Sequence, residues 1–187
     1  MKTFRLPLIF LMVTLIPIPI SNAAGPKFGS WALSFETGFT IPTETFDEVI
    51  DGDYSFGLNL EYMAYPYLGT RIAFNHQKFD YVSDVSVRDN LEFNSFAING
   101  VIAYPLPDHF RLFAIGGPCY FSAEGQEILG FGEDGKDIGW DAGAGFEFFP
   151  ILNWGIRFQS IYYSAEIGDH AIRSSWVDSV LGLTFRF

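Results

Sequence analysis

Read two residues at a time, the chain alternates. In "WALSFETGF", Trp31, Leu33, Phe35, Thr37 and Phe39 fall on one face, and Ala32, Ser34, Glu36 and Gly38 on the other. "YSFGLNLEY" sets Tyr54, Phe56, Leu58, Leu60 and Tyr62 against Ser55, Gly57, Asn59 and Glu61, and "LGTRIAFNH" sets Leu68, Ile72 and Phe74 against Gly69, Arg71 and Ala73. The pattern recurs at "FAINGVIAY", at "IGWDAGAGFEF", at "WGIRFQ" and in the closing "VLGLTFRF". Period-two alternation predicts strands with one apolar face. An eighth stretch, "RLFAIGGPCYF" at 111–121, reads equally well in either parity, and Pro118 argues against its outer half as a strand.

The links between these stretches come in two classes. Short ones with proline ("AYPY", "PLPDH", "FPILN") alternate with long polar ones at about 40–52, 79–92, 122–137 and 164–174. That is what an up-and-down meander gives when its two ends face different surroundings.

A soluble sandwich would also alternate, with its apolar face inside. Three features favour oil outside instead. The apolar face carries no mid-strand charge, and the opposite face is small and polar with isolated charges. Aromatic residues also gather at both strand ends: Tyr62, Tyr65, Tyr67, Tyr104, Phe110, Phe148, Phe149, Trp154 and Phe187 at the short-turn end, and Phe39, Tyr54, Phe79, Tyr81, Tyr120, Phe121 and Tyr162 at the loop end. Two aromatic girdles suit two membrane interfaces. Closure then satisfies every backbone hydrogen bond without leaving an edge in lipid. The predicted fold is all-β: an eight-stranded antiparallel up-and-down transmembrane β-barrel.

The first residues fit this destination. Lys2 and Arg5 precede an apolar run from about Leu6 to Ile20, followed by small residues. This is the layout of a cleaved secretory signal peptide spanning 1–23, with the barrel domain at 24–187. A membrane helix is the competing reading, but the run falls short of the roughly 20 residues needed to span, and Pro17 and Pro19 break its end. Removing Lys2 and Arg5 leaves 22 acids against 9 bases, since 11 − 2 = 9. Nucleic acid is excluded as a partner, because phosphate binding needs a basic surface. The single cysteine, Cys119, cannot form an internal disulfide and says nothing of redox compartment.

The leader, "YPYLGTRIAF", "GWDAGAGFEFF", "WGIRFQSIYY" and the terminal "LGLTFRF" together resemble the OmpA-like, opacity-type family of eight-stranded outer-membrane barrels. The resemblance implies residence in the cell outer membrane among outer-membrane lipid and lipopolysaccharide. It implies that Leu181, Leu183, Phe185 and Phe187 form the signal read by the barrel-assembly machinery. It covers the barrel only, with no periplasmic peptidoglycan-binding domain expected after Phe187.

Candidate chemistry lies on the inner face and in the loops. Glu61, Arg71, Glu147, Arg157 and Arg186 are expected inside near the short turns, and Glu36, Asp141 and Asp178 nearer the loops. Unpaired charge in a dry interior is costly, so these residues predict a structural salt-bridge and hydrogen-bond network. The same charges lining a narrow pore is the other reading. The long links carry most of the acids. Asp47, Glu48, Asp51 and Asp53 are the densest set, to be read as solvated surface or as divalent-cation contacts at the lipopolysaccharide surface. An EF-hand is excluded by Val49 at the third position from Asp47 and by Leu58 where the closing Glu belongs.

His76, His109 and His170 are scattered, and no serine stands at the spacing that nucleophilic catalysis of the lipid A deacylase type requires. The expectation is a non-enzyme without cofactor or bound metal, with a structural or surface-interaction role in envelope integrity or in adhesion through acidic loops. The alternatives are a narrow pore or a route for small or hydrophobic molecules, and after these a lipid A-modifying enzyme.

Overall fold

Alternation sets the strands, and pairing closes them. The computed structural model describes residues 29–43, 50–81, 91–124, 135–151, 153–167 and 172–187. The strands are β1 (Ser30–Thr43), β2 (Ile50–Tyr65), β3 (Leu68–Tyr81), β4 (Leu91–Pro105), β5 (Phe110–Glu124), β6 (Gly135–Ile151), β7 (Trp154–Ile167) and β8 (Ile172–Arg186). Each pairs antiparallel with the next, and β1 pairs with β8, from Ala32 opposite Arg186 to Thr43 opposite Ser175, so the barrel is closed. The signal-peptide segment lies outside the described residues.

The expected faces hold in seven strands. Phe35, Phe39, Phe56, Leu58, Ile72, Phe74, Ile98, Ile138, Leu181 and Leu183 are exposed on the outside, while Ser34, Asn59, Asn99 and Thr184 are buried within. The ambiguous fifth strand is now settled: Arg111, Phe113, Ile115, Cys119 and Phe121 point inward, and Leu112 and Tyr120 outward. Pro118 does not shorten it. The residue sits exposed within β5, opposite Trp140, and the β4 to β5 pairing keeps one register across it, from Ala97↔Cys119 to Gly100↔Gly116.

The strands run further than the sequence pattern suggested, leaving links of 44–49, 82–90, 125–134 and 168–171. Strands of 14 to 17 residues, rising about 3.3 Å per residue and tilted about 40°, stand about 35–43 Å tall, against an apolar band of about 25 Å. Their upper ends therefore leave the hydrocarbon. Outside positions there are Lys78, Glu92, Ser122 and Lys136, and the greasy side moves inward: Phe79, Phe93, Phe121, Tyr163 and Trp176 are each 0% exposed inside the barrel. Phe79 and Phe121 are thus lumen residues and not part of the outer girdle. Phe149 is likewise buried at the short-turn end. The girdles that remain are Trp31, Tyr62, Tyr65, Tyr67, Tyr104, Phe110, Phe148, Trp154 and Phe187 at one end, and Phe39, Tyr54, Tyr120, Trp140 and Tyr162 at the other, the Tyr81 side chain lying outside the described ones.

Candidate functional site in the barrel lumen

Four arginines and three glutamates fill the half of the lumen near the short turns. Glu61 on β2 stands opposite Arg71 on β3, and a second row runs from Arg111 on β5 through Glu147 on β6 to Arg157 on β7. Arg71 donates to Glu61 Oε2 from Nη2 at 2.8 Å and from Nε at 3.2 Å, and to Gln159 Oε1 from Nη1 at 2.8 Å. Arg157 donates from Nε to Glu147 at 2.5 Å and from Nη2 to Glu61 at 3.1 Å, with a further close contact between its Nη2 and Glu147. Arg111 lies 2.7 Å from Glu61 and 2.6 Å from Glu147 and is ion-paired with both.

The ring of Phe113 lies among these cations. The guanidinium carbons of Arg71, Arg157 and Arg111 lie 5.0, 5.2 and 5.5 Å from its centroid. An aromatic face attracts cations, so the ring holds three like charges close together without adding an anion. Below it, Arg186 sits 3.7 Å from the centroid of Phe149 and 3.8 Å from Glu147. Glu36 belongs to this cluster and not to the loop end. Its carboxylate accepts from Gln159 Nε2 at 2.5 Å and from Arg157 Nη1 at 3.4 Å.

Such crowding needs gaps on the neighbouring strands. A Cβ on Gly145 would lie 2.7 Å from both the Gln159 and Phe113 side chains, and one on Gly182 would lie 2.6 Å from Glu36 Cγ. Glycine is the residue that lets these long side chains lie flat against a neighbouring strand.

Arg111, Phe113 and Gln159 carry much of this cluster and were not among the expected residues. An outward Arg111 would put a charge toward lipid. At a strand end, however, that costs only about 0–1 kcal/mol, too weak a signal to set the parity of β5.

The loop-side half is built differently. Asp141 Oδ2 accepts from Asn99 Nδ2 at 3.2 Å. Asp178 Oδ2 accepts from Gln77 Nε2 at 2.9 Å, and its other oxygen accepts from the Thr40 hydroxyl. Neither aspartate reaches ion-pair distance of a basic side chain among the described residues. Over them lie the inward aromatics, centred on Trp176, which stacks on Tyr163 at 5.4 Å and meets Phe93 at 5.1 Å and Phe121 at 5.3 Å.

The remaining expected residues are dispersed. Leu181, Leu183 and Phe187 are exposed on the outer face, and Phe185 packs on Trp154 at 4.9 Å. Asp51 and Asp53 belong to β2 and not to a loop, with Asp53 3.5 Å from Lys78. Asp47 and Glu48 lie outside the described residues. His76 pairs with Asn94 at 2.9 Å, His109 sits in the β4 to β5 turn with φ 69°, and His170 lies outside the described residues. No three His, Cys, Asp or Glu gather as a metal site among the described residues.

A closed eight-stranded barrel, greasy outside and polar within, limits the families it can join. The model of the outer membrane protein beta-barrel domain matches residues 8–187. The chain belongs to that family. Its place is the cell outer membrane.

Solved structures agree on the fold. Neisserial surface protein A is 10% identical with a TM-score of 0.65, covering 85% of this chain and 99% of that one. The outer membrane protein OprG of Pseudomonas aeruginosa is 14% identical with a TM-score of 0.63, covering 89% and 99%. The attachment invasion locus protein Ail of Yersinia pestis, solved with the heparin analogue sucrose octasulfate, is 19% identical with a TM-score of 0.58, covering 86% and 99%. No curated protein matched the chain by sequence.

Proposed function

We propose that this protein is a non-enzymatic outer-membrane scaffold that presents its loop-side links for surface interaction and contributes to envelope integrity, with its lumen serving as a structural plug. The observation that carries the reading is the arginine and glutamate cluster. Arg71, Arg111, Arg157, Glu61 and Glu147 are each 0–2% exposed and bridge strands from β2 to β7 across the lumen. An eight-stranded barrel is only just wide enough for side chains to fill, and a network of this density leaves little for water.

Its surface chemistry also narrows the partner. The links 44–49, 82–90, 125–134 and 168–171 hold three, two, three and one acidic residues, nine together, against one arginine, Arg88. A sulfated polyanion such as the one in the Ail structure would be repelled. The reading therefore takes cationic or neutral partners, outer-membrane lipid and lipopolysaccharide around the barrel, and Leu181, Leu183, Phe185 and Phe187 as the segment read by the barrel-assembly machinery.

The purified barrel reconstituted in planar bilayers tests it. Steady single-channel conductance is not expected. A reproducible conductance that changes when Arg157 or Arg71 is neutralised would replace the plug with a narrow pore.

A further inference from the structure

Pro118 stands in the middle of β5, and the wall beside it has a flaw. The β4 to β5 pairing skips two positions, Ile98 with Pro118 and Asn99 with Gly117, between Ala97↔Cys119 and Gly100↔Gly116. The register shifts among the described residues fall near strand ends instead, at Gly52/Ser55, Met63/Tyr65 and Phe148/Ile151. The phase of the hydrogen bonds explains the skip. Leu106 N donates to Phe110 O, and in an antiparallel pair every second position exchanges both of its bonds. Counted in twos along the register, Ile98 and Pro118 share that phase. Pro118 has no N–H to give, so the Ile98 carbonyl loses its cross-strand donor. Hydrocarbon supplies no replacement.

Side chains do not cover the flaw. Outside, Gly100 and Gly116 stand opposite each other, and a Cβ on Gly100 would meet nothing nearer than 3.8 Å. Inside, a Cβ on Gly117 would lie 2.1 Å from the Ile98 carbonyl oxygen and 2.8 Å from Asn99 Oδ1, so the position must stay bare. What spans it is Asp141 on β6, opposite Gly117 in the β5 to β6 register. Its carboxylate accepts from Asn99 Nδ2 on β4 at 3.2 Å and from the Gly117 N–H on β5. One side chain thus holds both strands of the flawed pair. It is buried, and the Arg71 charge acts on it from the cluster below.

We propose that the barrel opens locally between β4 and β5 at Ile98 and Pro118, and that Asp141, through Asn99 and Gly117, is the clasp that keeps this seam shut. Each opening sets the inward Cys119 and Phe121 beside the acyl chains, at the level of Tyr120 and Trp140. The arginine and glutamate cluster lies on the short-turn side of the seam and stays closed, so the device goes beyond the plug and does not depend on it.

Amide hydrogen exchange tests this, followed residue by residue by NMR on the full chain refolded into lipid nanodiscs. In the wild type the Ile98 and Gly116 amides exchange at least tenfold faster than those of Ile161 and Asp178, an unbroken pair of β7 and β8. N99A and D141A each speed the seam amides by a further tenfold or more and leave Ile161 and Asp178 unchanged; N99A serves alone if D141A does not fold. P118A, which returns a donor to the Ile98 carbonyl, slows the seam amides to the reference rate. Oxidised A97C does the same, because position 97 faces Cys119 directly across the seam, at a non-hydrogen-bonded position about 4.5 Å apart and within disulfide reach. Wild-type seam amides no faster than the reference pair overturn the proposal. So does a seam indifferent to N99A and D141A, and so does an acceleration shared equally by Ile161 and Asp178, which makes Asp141 a general support of the fold.

Discussion

The two halves of the lumen solve the problem of buried charge in different ways. Near the short turns, Arg71, Arg111, Arg157 and Arg186 face Glu36, Glu61 and Glu147, nearly in balance, and the ring of Phe113 separates the cations. Near the loops, Asp141 and Asp178 have only amide and hydroxyl partners beneath an aromatic layer. A matched network becomes costly when one member is lost, because the others remain charged and dry. An unmatched carboxylate carries its cost already, so neutralising it relieves strain instead of creating it.

The largest effect is expected from R157M, which removes contacts to Glu61 and Glu147 and leaves Glu36 without its ion pair. Equilibrium urea unfolding in lipid vesicles should show a loss of about 3–5 kcal/mol, and a loss under about 1 kcal/mol would mean that the cluster is not the barrel's anchor. F113L keeps an apolar side chain but removes the aromatic face shared by three guanidiniums. About 1–2 kcal/mol should be lost in the same assay, and an unchanged stability would reduce Phe113 to a filler. D141N should change stability by no more than about 1 kcal/mol, toward gain. A loss comparable to that of R157M would erase the distinction between the two halves.

The outward face was legible because lipid enforces it. Phe35, Leu58, Phe74, Ile98 and Leu183 had to alternate with small or polar residues wherever hydrocarbon touched the strand, and that regularity made eight strands countable. Once the strands leave the membrane, the rule reverses. Phe74 points out and Phe79 points in, Tyr120 out and Phe121 in, Leu181 out and Trp176 in. A reader who sends every aromatic outward assigns Phe79 and Phe121 to the wrong side, whereas strict alternation continued from Phe74 and Tyr120 places both inside.

Height in the barrel was less accessible. Glu36 meets Arg157 only because β1 pairs with β8 in the register that puts Gly182 between them. That closing register is a long-range property, and no local pattern carries it. Arg111 was hidden for a further reason: it lies at the strand end, where a charge is tolerated on either face.

The transfer of the apolar face from outside to inside has a consequence for the bilayer itself. On the outside it falls where Phe74 gives way to Lys78, Phe96 to Glu92, Tyr120 to Ser122 and Ile138 to Lys136, an arc across β3 to β6. A thicker leaflet would drag those lysines and that glutamate into oil, and a thinner one would leave phenylalanine and isoleucine in water, each mismatch costing fractions of a kcal/mol per Å. The barrel thus carries its own waterline along that arc, which marks how high the loop-side leaflet should reach.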